Sequence, residues 1–181
     1  MVYDLVEHRH RFSVWAAARA AQRGLKGGKV DVLRNALEQS GVVEFAKAND
    51  GPIEQGAFDE VHRVWCRSII DSLARRDVAA AYGRAAKLIA IYLKSMVILN
   101  GTVETSQASV FHPPIDGILL HNMCKATDVQ STHKKTWGTV KWTALSENQY
   151  YSLINQLRMC VAHGEPFWTL ERFWTVTDDQ E

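Results

Sequence analysis

Between Phe58 and Leu99 the apolar residues recur at a spacing that suits an α-helix and no strand. Phe58, Val61, Trp65, Ile69 and Leu73 follow one another every three or four residues, up to the Arg75-Arg76 pair. Asp77 is a candidate cap for a second helix, from about Val78 to Leu99, which is apolar on most sides and therefore expected to be buried. Two consecutive helices of this length leave little room for a sheet, which would need alternating polarity. The expected fold is all-α: a compact, bundle-like arrangement of roughly six to eight helices, forming a single helical domain over residues 1–181.

The flanking sequence agrees. Phe12, Trp15, Ala16, Arg19, Ala20 and Arg23 lie at helical spacing in an alanine-rich run ending at Gly24, and Gly27-Gly28 breaks the chain. Val30 to Ser40 reads as a helix stopped by Gly41, and Asn49-Asp50-Gly51-Pro52 as a turn. After Asn100-Gly101 comes a polar loop, Thr102 to Val110. His112-Pro113-Pro114-Ile115-Asp116 is extended by proline geometry and leads into a helix from Gly117 to Met123. Lys125 to Lys141 is irregular, with Thr139 to Trp142 as the one strand-like stretch. Ser146 and Gln149 form a capping box for a helix through Cys160 or Ala162, closed by Gly164. Pro166 opens a last helix, in which Phe167, Leu170, Phe173 and Trp174 share an apolar face.

Context is bounded by what the chain does not carry. Its formal charge is +1, so any nucleic-acid contact has to come from a local patch. Met1 to Arg11 lacks a signal-peptide core, and the apolar run Leu88 to Leu99 is interrupted by Lys94 and too short to span a bilayer. Three widely spaced cysteines, Cys66, Cys124 and Cys160, do not make a disulfide framework. The expectation is a cytoplasmic protein without a membrane partner.

The first chemical signal is a lysine and an aspartate. Lys87 lies near the start of the most apolar helix, and a partly dry amine loses its proton more easily and becomes a nucleophile. About thirty residues on, Pro114-Ile115-Asp116 delivers a carboxylate at the start of another helix. A carboxylate in that place either takes up the lysine's proton or simply caps the helix.

This arrangement resembles the helix–hairpin–helix DNA glycosylases, in particular the 8-oxoguanine DNA glycosylase branch. Gly83 and Lys87 match a glycine-containing turn and the helix bearing the catalytic lysine, and Pro114, Ile115 and Asp116 match the element carrying the second catalytic group. The likeness covers Tyr82 to Leu120, with one glycine where the family has two and with Lys94 as a second candidate lysine. It implies DNA binding and base excision: Lys87 attacks C1′ of a flipped nucleotide and Asp116 handles the proton. Trp15, Tyr82, Trp137, Trp168 and Trp174 are then the rings available to stack the base. Arg75, Arg76, Arg84, Lys134 and Lys135 are the cations available to the phosphates. The stretch Arg84 to Lys94 with His112 to Asp116 also resembles a family of bacterial proteins to which no activity attaches.

Two rival signals remain. Arg158 and His163, five positions apart near a helix end, resemble the arginine–histidine motif of HEPN ribonucleases, which implies metal-independent RNA cleavage, often by a homodimer. About 1.4 helical turns separate the two, so they do not share one face squarely. His121 with Cys124, and Cys160 with His163, have the spacing of ligand pairs, but the gap between the pairs is not that of a zinc finger, and no metal or other cofactor is expected. A non-enzymatic helical interaction module, with a tryptophan-rich C-terminal helix as its contact, is the third alternative. Trp15, Trp65 and Trp168 are otherwise expected in the core.

Overall fold

The computed structural model describes residues 3–48, 51, 53–100, 106–129 and 131–175. Asn49, Asp50 and Pro52 of the expected turn, and residues 102–105 of the expected polar loop, lie outside them. The described residues are predominantly helical and contain no strand, and the fold is all-α. The elements are α1 (Leu5–Ala21), α2 (Val30–Glu38), α3 (Val42–Ala48), α4 (Gln55–Ala74), α5 (Tyr82–Met96), α6 (Gly117–Lys125), α7 (Lys134–Trp137) and α8 (Glu147–Arg158). Short 3-10 turns join them, and a longer 3-10 segment, Phe167–Phe173, follows α8.

Helix α5 is the hub, packed along α1 and against α4 and α8. From Tyr82 to Ala90 every residue is buried, so the helix has no solvent face along that stretch. The inner face of α1 is Val14, Ala17, Ala18 and Ala21, and α5 contributes Ala85 and Ala86; small side chains let two helix axes approach closely. Gly83 serves the same end. A Cβ there would stand 2.0 Å from the Trp142 carbonyl oxygen, so only glycine admits the 142–145 segment, whose Leu145 carbonyl accepts the Gly83 N–H at 3.2 Å.

Several boundaries differ from those the sequence suggests. Asp77 does not cap a helix at its N-terminus; it ends α4 in the left-handed region (φ 57°), with the Val78 N–H donating to the Leu73 carbonyl at 3.0 Å. Val78 to Ala81 are not helical despite three alanines, and α5 begins four residues later than expected. Thr139 to Trp142 is not a strand: Thr139 is in a turn, Val140 and Lys141 are irregular, and Trp142 starts a 3-10 helix. On α4 the inward face includes Asp59, His62 and Cys66, while Val61 is only half-buried. Trp65 is in the core, Trp168 is partly buried, and Trp15 faces outward. The capping box of Ser146 and Gln149 forms as expected. No helix among the described residues is long and apolar enough to cross a membrane.

Candidate active site

The two residues singled out by the sequence meet. Lys87 Nζ lies 3.1 Å from Asp116 Oδ2, with side-chain exposures of 9% and 12%. Asp116 also caps α6: its Oδ1 accepts the Leu119 N–H at 3.0 Å. Its Oδ2 accepts a further hydrogen bond from Trp174 Nε1 at 2.9 Å. Helix capping and lysine pairing are therefore duties of one carboxylate, divided between its two oxygens. The extended His112–Ile115 stretch, buried throughout, fixes where α6 starts and so where this carboxylate sits.

A second pair completes the site. Lys94 is two helical turns beyond Lys87 on α5 and is paired with Glu171. Burial pushes the Glu171 carboxyl above its ordinary range, and Lys94 works against that shift. The Trp142 ring lies 4.3 Å from Lys87 Nζ on one side, and Trp174 lies 5.5 Å from Lys94 Nζ. Between the pairs is a cavity of about 90 Å³, bordered by Ile91 and Pro114 as well as the charged groups. Its outer wall is the C-terminal segment, tied down by Glu171, by Trp174 and by Asn122, whose Nδ2 donates to the Phe173 carbonyl at 2.9 Å.

Such an arrangement suits amine chemistry. A primary amine in contact with a carboxylate has a proton acceptor in place, and the Trp142 ring and the Asp116 oxygen together fix where that amine sits. A volume equal to about three waters holds a small group, not a nucleobase, so a larger ligand has to displace the C-terminal wall.

The phosphate-binding candidates divide. Arg75, Arg76 and Lys135 are exposed. Arg84 is buried, and its Nη1 donates to the Ala21 and Arg23 carbonyls at 2.8 and 2.9 Å, closing the C-terminus of α1. Lys134 Nζ donates to the carbonyls of Ala126 and Val129. Both cations therefore serve backbone carbonyls. Of the stacking candidates, Trp174 is at the cavity, while Trp137 is buried and donates to Gln156. Trp142, which the sequence did not single out, is the ring beneath Lys87.

Arg158 and His163 are not joined by a hydrogen bond. His163 is exposed beyond the end of α8, and Arg158 makes a two-pronged contact with Asp59, at 2.6 and 2.8 Å. The histidine beside Arg158 is His112, 3.1 Å away. His112 Nε2 donates to Asp59 Oδ1 at 2.9 Å and its Nδ1 accepts from Tyr150 at 3.1 Å. The Tyr151 hydroxyl accepts from His62 Nδ1 at 3.0 Å and donates to the Asp59 carbonyl at 2.9 Å. Burial raises the Asp59 carboxyl, but the hydrogen bonds from His112 and Arg158 outweigh it and hold the group well below the carboxylate range. Burial likewise holds His62 and His112 below the usual histidine value, and so neutral. A polar pair, Asp59 and His62, on the inner side of an apolar helix was the available signal for this network.

The cysteines and remaining histidines stay apart. Cys124 Sγ donates to the Lys134 carbonyl at 2.8 Å, Cys160 Sγ to that of Gln156 at 3.5 Å, and His121 is exposed. Among the described residues no group of three or more His, Cys, Asp or Glu side chains is placed to hold a metal. No family model, curated protein or solved structure matches this chain.

Proposed function

We propose that the chain acts on nucleic acid as a glycosylase and abasic-site lyase, with Lys87 as nucleophile and Asp116 as its proton partner. The observation that supports this reading is the buried Lys87–Asp116 contact of 3.1 Å at the edge of a cavity. Asp116 accepts a proton from the Lys87 ammonium, and the free amine adds to C1′ as the glycosidic bond breaks. The base leaves with that proton. Ring opening gives an iminium as O4′ takes a proton from the C1′-bound nitrogen, and Asp116, a carboxylate again, removes the C2′ proton as the C3′–O bond breaks and the 3′ phosphate leaves. Trp142 offers a face for the sugar or base, and Arg75, Arg76 and Lys135 are the exposed cations available to the backbone. Entry of a nucleotide requires the Glu171–Trp174 wall to lift.

Borohydride reduction converts the iminium into a stable amine, so protein incubated with abasic or base-damaged DNA should yield a covalent adduct. Lys87→Gln should abolish it and Asp116→Asn should slow it, with both variants confirmed as folded by circular dichroism. An adduct that persists in Lys87→Gln, or none with the parent chain on any lesion, overturns the assignment.

A further inference from the structure

We propose that a groove at the start of α5 holds a phosphate of the nucleic-acid strand, close to the nucleotide that Lys87 engages. The inference deepens the proposed activity and rests on it for the identity of the strand. The groove, about 820 Å³, lies between the 24–27 loop, the 76–81 connection and Thr143–Ala144, and Arg84 is part of its lining. Arg84 is a buried cation without a counter-charge. It is 9% exposed, and an interior charge is costly unless an opposite one answers it. Its Nη1 is spent on the Ala21 and Arg23 carbonyls. Burial pushes the guanidinium down, and no carboxylate acts against that shift. Its Nη2 makes no hydrogen bond among the described residues and is not sealed off from solvent. Gly24 keeps that nitrogen uncovered: a Cβ there would stand 3.9 Å from Nη2.

Lys26 and Arg76 line the same groove, and both are exposed and outside any ion pair among the described residues. Against these three cations stands one lining carboxylate, Asp77; Asp31 on α2 and Asp71 on α4 are not in the lining. A planar guanidinium with free N–H groups, backed by an ammonium, suits phosphate oxygens. Trp142 ties the groove to the amine. Its ring lies 5.7 Å from the Arg84 guanidinium carbon and 4.3 Å from Lys87 Nζ. Arg84 and Lys87 are three residues apart on α5 and so on one side of it. The two cations are thus no further apart than about three nucleotides of stacked strand, at about 3.4 Å each. A strand with its sugar at Lys87 carries a phosphate to Arg84, whereas a free anion gains nothing from the shared ring.

Fluorescence anisotropy of the full chain with a labelled duplex bearing a tetrahydrofuran abasic analogue, which forms no iminium, tests this apart from the chemistry. Lys26→Gln and Arg76→Gln should each weaken binding about threefold to tenfold and lower the slope of log affinity against log salt by about one. Lys47→Gln, which removes the same charge beside the far end of α5, should change neither. Asp77→Asn, a residue tolerated at positive φ, should tighten binding about twofold. All four positions are exposed, so folding is not at stake. If Lys26→Gln and Arg76→Gln do no more than Lys47→Gln, or the duplex does not bind, the groove assignment is overturned, even where borohydride trapping succeeds. Displacement of the duplex by micromolar inorganic phosphate at constant ionic strength overturns the strand as its ligand. Groove-dependent binding with no borohydride adduct on any lesion upholds the groove and removes Lys87 as nucleophile.

Discussion

Two buried polar clusters share this small fold, and they are built in opposite ways. Around Asp59 the groups answer one another: a two-pronged arginine, a histidine and two tyrosines link α4, the extended stretch before α6, and α8. Both of its carboxylate oxygens are taken up by these partners. Around Asp116 the groups face a void, and one of its covers is a C-terminal segment rather than a core helix. A charged cluster filled with its own partners is a fastening, and one that borders empty space is a place for something else. Charge, burial and aromatic neighbours are common to both; the Asp116 cluster borders a cavity of about 90 Å³.

Asp59→Ala is the harshest test of that contrast. It strands Arg158 and His112 in the interior and should cost about 3–5 kcal/mol, read by urea unfolding. Acid should act on the same cluster in two stages. His62 and His112 have folded-state values below their unfolded ones, so their contribution is present above pH ~6.5 and is lost as pH falls below it. Asp59 is depressed as well, so its contribution is lost at lower pH, below the unfolded carboxyl value near ~3.9. Melting temperature should therefore fall from about pH 6.5 downward, and a flat profile between neutrality and pH 5 would break the account of neutral buried histidines.

At the other cluster, Lys87→Met removes one charge but leaves Asp116 its Leu119 and Trp174 donors. It should cost about 1–3 kcal/mol while eliminating the borohydride adduct. A loss as large as that of Asp59→Ala would mean that the two clusters do the same job. Trp174→Ala should be mildest, within about 1 kcal/mol because the indole is partly exposed. It should raise the adduct yield by opening the outer wall; a decrease would assign Trp174 to substrate binding.

Local pattern made the helices legible. The every-third-or-fourth repeat from Phe58 to Leu73 marks α4, and Ser146 with Gln149 marks the start of α8. Where packing overrides propensity, reading fails: Val78 to Ala81 are non-helical in an alanine-rich run, because Asp77 has already turned the chain out of α4. Trp15 fails for a different reason. Spacing says that residues share a face, not which way the face points. Lys87 and Asp116 were found through a motif carried on two short segments. The Asp59 network was not, since Asp59 and Arg158 are 99 residues apart and a polar contact over that span leaves no periodic trace. Trp142 escaped notice likewise, arriving beneath Lys87 only because Gly83 admits its backbone.

Asp116 Oδ2 is a shared anchorage for α5 and the tail, holding the Lys87 amine and the Trp174 indole at once. A ligand that claims this oxygen unfastens the indole in the same act. Occupancy should thus be felt at a distance: proteases should trim the chain beyond Pro166 faster when the pocket is filled than when it is empty, giving a readout of binding that needs no turnover.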